Sequence, residues 1–162
     1  MSPSTKSSGD ELWRYAVALY GRERVAEACL TLQNDFGADV AVLLYACWRW
    51  HEQRPAGERE LWAAHCRLDA VRERILRPLR GLRVDWKLAV DGVPRGEQRA
   101  LREQLLEVEL QAERIALGML ARLEPNGDEA LLPDALRAYL GRLAVLDRAA
   151  EDAVEVLACV SR

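Results

Sequence analysis

Residues 35–50, DFGADVAVLLYACWRW, contain the longest apolar run of the chain, which extends from Val40 to Trp48. A segment that is apolar on all sides predicts a helix at the centre of a helical protein. The run covers about half of the ~20 residues that span a bilayer, so it does not predict a membrane helix. Before it, Gly37 suits the left-handed end of one helix, and Asp39 suits the N-cap of the next. We therefore expect a helix corner followed by the central helix of the fold.

The triplet Asp35-Phe36-Gly37 also occurs in protein kinases, where the aspartate holds magnesium. In kinases it acts together with a glycine-rich loop and a catalytic loop. This chain has no GxGxxG and no HRD motif, and its pattern predicts no strands on which to place them. The triplet is therefore interpreted as part of the helix corner.

The remainder of the chain has helical periodicity, and most prolines and glycines fall between the periodic segments. The sequence predicts an all-α, single-domain bundle of about six helices over residues 10–162, after a disordered tail at residues 1–9. The predicted helices cover about 10–20, 25–34, 40–53, 58–90 and 97–123, and the last runs from the turn at 124–129 to the C-terminus.

Two of these helices have special patterns. The long fourth helix contains Pro78, which predicts a kink near Arg74 to Arg77 or a break there. The last helix has apolar residues at alternating steps of four and three: Leu132, Leu136, Tyr139, Leu143, Leu146, Ala150, Ala153, Leu157 and Val160. Such a heptad seam predicts near-parallel helix packing, either within the bundle or across a homodimer.

Composition limits the class of protein. Apolar residues make up 50% and charged residues 30% of the chain, which is typical of a globular protein. The net charge of -3 argues against a general attraction to nucleic acid or to an anionic membrane. The opening MSPSTKSSG lacks the apolar stretch of a secretion signal, and the four cysteines form no CxxC pair. We expect a cytoplasmic protein with reduced thiols.

The sequence offers no complete catalytic or metal-binding set. Cys47 and His51 share a helix face, but structural zinc sites normally use closely spaced ligand pairs on turns, and His65 and Cys66 point in different directions. A catalytic thiol needs an exposed, polarised setting, whereas Cys47 lies in the most apolar segment. We predict no metal, no cofactor and no catalytic residue, which favours a protein that is not an enzyme.

The most informative feature is ionic. The stretch 72–87, RERILRPLRGLRVDWK, carries six basic residues: Arg72, Arg74, Arg77, Arg80, Arg83 and Lys87. The next helix carries carboxylates of the opposite sign: Glu103, Glu107, Glu109 and Glu113. Glu109 and Glu113 lie on or beside an apolar stripe, where an unpaired carboxylate is costly. A short turn predicts antiparallel pairing of Arg74 with Glu113, Arg77 with Glu109 and Arg80 with Glu107.

Two interpretations of this strip remain open. One is a ladder of salt bridges that sets the register of the two helices. The other is a polar pocket for a phosphate or carboxylate, in which Arg83 and Lys87 stay free to bind the anion. Separately, Trp48 and Trp50 lie two residues apart and point to different sides of their helix. An exposed tryptophan of this pair would suit a partner anchor.

Three stretches resemble a family of small, all-helical bacterial proteins of unknown function. The longest is residues 11–48, ELWRYAVALYGRERVAEACLTLQNDFGADVAVLLYACW, which is similar to an LW…ALY…CL.LQ…GADV.LLL…W signature. The others are residues 75–87, ILRPLRGLRVDWK, and 109–120, ELQAERIALGML. The resemblance implies no catalytic residues, because the family has no assigned function. It includes Arg77, Arg80, Arg83 and Lys87, together with Glu109 and Glu113.

We therefore expect a helical adaptor or regulatory protein that binds another protein. The first alternative is a small-ligand binder or enzyme that uses the Arg/Glu cluster, and the second is a nucleic-acid-associated factor. The candidate binding residues are Arg72, Arg77, Arg80, Arg83, Lys87, Glu109, Glu113, Trp48 and Trp50.

Overall fold

The computed structural model of the protein describes residues 8–161. The predicted tail, residues 1–9, lies outside this range except for Ser8 and Gly9, which begin the first helix. Within the described residues the chain is helical and contains no strand, so the all-α prediction is confirmed. The helices are α1 (Ser8–Tyr20), α2 (Val25–Phe36), α3 (Val40–His51), α4 (Glu58–Arg67), α5 (Asp69–Val71), α6 (Arg77–Asp85), α7 (Arg95–Ala121), α8 (Leu132–Gly141) and α9 (Arg148–Val160), with a π-helical turn at Arg72–Leu76 between α5 and α6.

The chain divides into two compact units. The first comprises Met1–Arg67 and Leu117–Arg162, and the second comprises Leu68–Ala116. The prediction of a single domain therefore stays a prediction, and each unit is described separately below.

Helix α3 lies at the centre of the first unit, where it packs against α1, α2, α4 and α8. Every residue from 42 to 49 is buried, as expected for a helix that is apolar on all sides. The corner before it also forms as predicted: Gly37 has a φ of 73° and ends α2, and the Asp39 side chain accepts a hydrogen bond from the Ala41 N–H at 3.0 Å.

The fourth helix is not continuous over 58–90 as predicted. It separates into α4, the short α5, the π-helical turn and α6, and helix ends at Asp85. Pro78 is the second residue of α6. Because proline lacks an N–H and its ring clashes with the carbonyl four residues earlier, the regular hydrogen-bond pattern is disturbed around Arg74, within the π-helical turn. The proline thus affects the backbone at the predicted place through a wider turn.

The prediction of one continuous C-terminal heptad helix is also wrong. Helix α8 ends at Gly141, and α9 begins after Asp147, whose side chain accepts a hydrogen bond from the Ala150 N–H at 3.1 Å. A breaker and a cap six residues apart outweigh the heptad spacing. Six of the nine seam residues are buried within the first unit: Leu132, Leu136, Tyr139, Ala150, Ala153 and Leu157. They already have intrachain partners, because α8 packs on α3 and α4 and α9 packs on α2.

The second unit is a helical hairpin with few buried side chains. Ion pairs and hydrogen bonds connect α6 to the first part of α7 in antiparallel order. The buried residues of the unit are Leu68, Leu76, Gln98, Glu109, Ala112 and Ala116. By contrast, eleven of the fifteen large hydrophobic side chains exposed in residues 8–161 belong to this unit. The hairpin therefore presents far more apolar surface than its short length would lead one to expect.

Candidate functional site

The centre of the predicted strip is a cluster of two arginines and two glutamates. Arg80 and Arg83 lie one turn apart on α6, and Glu109 and Glu113 lie one turn apart on α7. The Arg83 Nε lies 2.6 Å from Glu109 Oε2, and the Arg80 Nε lies 3.3 Å from Glu109 Oε1. Arg80 also reaches Glu113, with 3.1 Å between Nη2 and Oε1. The four charges cancel, and both oxygens of Glu109 contact an arginine.

Burial makes this pairing necessary for Glu109, which is only 4% exposed. A buried carboxylate is destabilising unless hydrogen bonds and opposite charge compensate it. The hydrogen bond to Glu109 in turn raises the pKa of Arg83 above its ordinary value, so this guanidinium stays charged. The cluster has the geometry of the predicted salt-bridge ladder.

The pairing partners differ from those predicted. Arg80 contacts Glu109 and Glu113 rather than Glu107, and Arg77 pairs with Glu73 on its own side of the hairpin at 2.6 Å. Side chains lean toward the N-terminus of their helix. In an antiparallel pair, this direction places the guanidinium of an α6 arginine farther from the turn than its own Cα. It places the carboxylate of an α7 glutamate closer to the turn than its own Cα. The contacts therefore shift to higher-numbered glutamates.

The other candidate residues lie away from this cluster. Arg72 pairs with Asp69, three residues before it. Lys87 is exposed and forms no ion pair with the described residues. Trp48 is buried in the first unit. Trp50 is half-buried there and lines an open cavity of about 360 Å³ with His51, Gln53, Pro55 and Ser161. The binding role of all these residues stays a prediction.

Sequence reasoning missed the most structured feature of the hairpin, which is the side chain of Gln98. Its Nε2 donates to the carbonyls of Trp86 and Leu88, and its Oε1 accepts from the Val90 N–H at 3.0 Å. Three backbone groups of the connection are thus held by one buried amide. The only signal in the sequence was a glutamine, which has both donors and an acceptor, just after the turn.

The segment held by Gln98 carries several exposed aliphatic side chains, and we name residues 84–93 the hairpin tip. Leu88 is 75% exposed. Three valines are exposed beside it: Val84, Val90 and Val93. The tip therefore combines a fixed backbone with an apolar surface.

A second unpredicted cluster is buried in the first unit, where Arg49 of α3 pairs with Glu60 of α4. The Tyr45 hydroxyl donates to Glu60 Oε1 at 2.7 Å and accepts from Arg49 at 2.9 Å. Arg49 Nε also donates to the Arg54 carbonyl at 2.8 Å. Burial raises the pKa of Tyr45, and the hydrogen bond to Glu60 raises it further. Each charge is paired, so this cluster has the character of a structural network.

Two of the four thiols, those of Cys29 and Cys47, are buried and have the properties expected of core residues, whereas Cys66 and Cys159 are exposed. Burial raises the pKa of Cys47 to about 11 and that of Cys29 to about 12, so neither forms a reactive thiolate at neutral pH. Within residues 8–161, no three His, Cys, Asp or Glu side chains are grouped as metal ligands. No helix in that part of the chain is both long and apolar enough to cross a membrane.

Comparison with known proteins assigns the chain to a family. No curated protein and no solved structure matches it. Residues 11–120, more than half of the sequence, match the family described as "Protein of unknown function (DUF2390)". This range includes most of α1, all of α2 to α6 and nearly all of α7. The predicted resemblance to a family of unknown function is thereby confirmed, and the chain belongs to the DUF2390 family.

Proposed function

We propose that this protein is an intracellular, non-enzymatic adaptor that binds another protein through the hairpin tip, residues 84–93. The observation that carries the proposal is the tip itself, four exposed aliphatic side chains on a backbone held by Gln98. Apolar residues that cluster on a surface often mark protein interaction sites.

The fixed backbone of the tip supports binding. A flexible loop must lose conformational freedom when it binds, which reduces affinity. Here three hydrogen bonds from Gln98 order the loop before any partner arrives. Leu88 is the central anchor because it is the most exposed of the four side chains. Lys87, which forms no ion pair with the described residues, provides a polar group at the rim.

The arginine strip has a supporting role in this proposal. Arg80 and Arg83 join α6 to α7 through Glu109 and Glu113 and so hold the two arms that carry the tip. The first alternative, an anion site at the same arginines, has less support because both guanidiniums already contact carboxylates. The nucleic-acid alternative has less support because the chain as a whole is acidic. The intracellular assignment rests on the four free cysteines, which suit a reducing compartment.

Affinity capture from native lysate tests the proposal with the substitution Leu88→Asp. A carboxylate at the centre of the apolar contact must be desolvated on binding, so we expect the partner captured by the wild-type protein to be lost. The matched control is Val145→Asp, which places the same charge at an almost fully exposed apolar position of the first unit. Circular dichroism verifies that both variants are folded. Retention of the same partner by Leu88→Asp, or its loss from both variants, would contradict binding through the tip.

A further inference from the structure

An open cavity of the first unit lies where two helices end. Helix α3 ends at His51, and α9 ends at Val160. The cavity has a volume of about 360 Å³ and is lined by Trp50, His51, Gln53, Pro55 and Ser161. A small-molecule site typically has a volume of about 300–1,000 Å³, a mainly apolar wall and a few polar groups. This cavity has the size and the mixed lining of such a site.

One polar group of the wall has no hydrogen-bond partner among residues 8–161. Ser161 is only 2% exposed, and its Oγ forms no hydrogen bond with any described residue. The Tyr15 phenol and the Cys47 thiol lie beside this hydroxyl, but the Tyr15 hydroxyl donates to the Cys47 carbonyl at 3.2 Å. Buried hydroxyls of native proteins are nearly always hydrogen-bonded, because an unpaired one is destabilising. The Ser161 hydroxyl is therefore suited to a polar group of a bound molecule.

The charge beside this cavity is negative. A second cavity of about 360 Å³ shares His51 with the first and is lined by Glu11, Arg14, Tyr15, Trp48, His51 and Glu52. The two glutamates form no ion pair within the described part of the chain, and the Arg14 Nε donates to the Asp10 carbonyl at 3.2 Å. Two carboxylates and one guanidinium give this wall a net negative charge. The C-terminal end of α3 adds a partial negative charge.

Aromatic rings are the third feature of this end of α3. Trp50 lines the first cavity, and the rings of Tyr15 and His51 lie beside each other with 5.0 Å between their centroids. The face of an aromatic ring attracts a cation placed within about 6 Å of its centroid. The chain itself places a cation at the end of α9, where the Arg22 guanidinium donates to the Val160 carbonyl. An apolar wall, aromatic faces and negative charge together match an organic cation.

We propose that the cavity beside Ser161, which we name the α3-end site, binds a small organic cation. The ligand is a protonated amine that carries an apolar group. Its ammonium group donates to the Ser161 hydroxyl, and its apolar group lies on Trp50 and Pro55. Glu11 and Glu52 attract the ligand through their charge from the neighbouring cavity.

Other classes of ligand fit the α3-end site less well. A carboxylate or a phosphate would be repelled by the two glutamates and by the negative end of α3. A neutral molecule of the same shape would gain the apolar contact without the attraction of the carboxylates and the ring faces. The site thus takes the opposite charge to the anion pocket considered for Arg83 and Lys87, and all of its residues belong to the first unit.

Three probes of one shape and different charge test the class of ligand. They are benzylamine, which is protonated at neutral pH, benzyl alcohol and benzoate. Saturation-transfer NMR detects binding to the full chain, and titration measures the Kd. We expect benzylamine to bind at least about tenfold more tightly than benzyl alcohol, and benzoate not to bind. Absence of benzylamine binding, or equal binding of benzyl alcohol or benzoate, would overturn the proposal.

The substitution Ser161→Ala separates a role in binding from a role in folding. Loss of a hydrogen bond to a charged group should raise the Kd for benzylamine about tenfold. The Tm should not fall, because the hydroxyl has no hydrogen-bond partner among residues 8–161. The control Val145→Ala, at a position that is 93% exposed, should change neither quantity. A Ser161→Ala variant that melts earlier and binds benzylamine as tightly as the wild type would show that the hydroxyl is structural.

The double variant Glu11→Gln, Glu52→Gln tests the attraction by charge while both side chains keep their shape. It should weaken the binding of benzylamine about threefold to fivefold and leave that of benzyl alcohol unchanged. Leu88→Asp should bind benzylamine as the wild type does, so the outcome does not depend on the hairpin tip. An unchanged Kd for benzylamine in the double variant would contradict selection of a cation by these carboxylates.

Discussion

At the scale of single residues, the buried Arg49–Glu60 pair shows how strongly the core depends on individual contacts. Arg49 is the one charged residue within the otherwise apolar central helix up to Trp50, and it is buried with its carboxylate partner. Charges out of water are tolerated only when each is paired and hydrogen-bonded, and here Tyr45 and a backbone carbonyl complete the network. Removing one member therefore costs more than the pair itself contributes.

We predict that Glu60→Ala lowers the free energy of unfolding by about 3–5 kcal/mol, because Arg49 is left buried without its counter-charge. Tyr45→Phe removes only a hydroxyl from the network and should cost about 1–2 kcal/mol. Urea denaturation of both variants measures the difference. Equal losses would show that the charge pair is not the dominant member of the cluster.

Residue-scale geometry also explains the shifted ion pairs of the hairpin. The sign pattern of the two helices was readable from the sequence, and two arginines do meet two glutamates. The sequence did not show which arginine pairs with which glutamate, because the pairing depends on the direction in which each side chain points along its helix. Arg77 pairs with Glu73, one turn before it in the chain, instead of with α7.

At the scale of elements, the hairpin connection is ordered by side-chain hydrogen bonds in place of helix. Helix α6 ends at Asp85, five residues before the predicted end, and the freed backbone groups of the connection need partners. Gln98 supplies three of them from the first turn of α7. The part of the tip after Asp85 is therefore held by hydrogen bonds although it has no regular structure.

We predict that Gln98→Ala loosens the tip while leaving its apolar side chains in place. Loss of one net hydrogen bond is worth about 1 kcal/mol, so the Val90 amide should exchange with deuterium roughly fivefold faster. Hydrogen–deuterium exchange followed by mass spectrometry measures this, with the exposed Gln104→Ala on the same helix as the control. Unchanged exchange at residues 86–90 would show that Gln98 does not order the tip.

At the scale of the whole molecule, buried protonated groups make the fold sensitive to alkali. Burial raises the pKa of Cys47 to about 11 and the pKa values of Cys29 and Tyr15 to about 12, above ordinary values of 9.0 for the thiol and 10.0 for the phenol. These groups ionise in the unfolded chain at a lower pH than in the folded one. Above the ordinary thiol pKa the unfolded state therefore binds fewer protons, and stability falls as pH rises.

We predict that the free energy of unfolding decreases steadily above pH 9.0, first through the thiols and from pH 10.0 also through Tyr15. Urea denaturation across this pH range measures the slope. The double variant Cys29→Ala, Cys47→Ala should lose the initial part of the decrease, whatever its stability at neutral pH. A wild-type stability that is constant up to pH 11 would contradict the assignment.

Patterns between near neighbours in the sequence were sufficient to predict the helical class, the buried α3 and the corner at Gly37 and Asp39. Periodicity, a left-handed glycine and an N-cap depend on residues within one or two turns, so a linear reading contains the information they need. The same reading gave the opposite charges of α6 and α7. It did not predict the ends of the helices in the fourth and last predicted segments, because the apolar periodicity of the sequence continues across the residues where these helices are interrupted.

The tertiary structure alone decided which groups meet across long separations. Asp128 illustrates this, since its side chain accepts from the Arg59 N–H at 2.7 Å and so caps α4 from a distant segment. Gly57 is required beside it, because a Cβ there would lie 2.5 Å from the Asp128 side chain. The buried pairing of Arg49 with Glu60 and the tip held by Gln98 belong to the same class. In each case a side chain contacts one partner among several residues of the same chemical type. The packing of the helices determines which partner that is, and the order of residues does not.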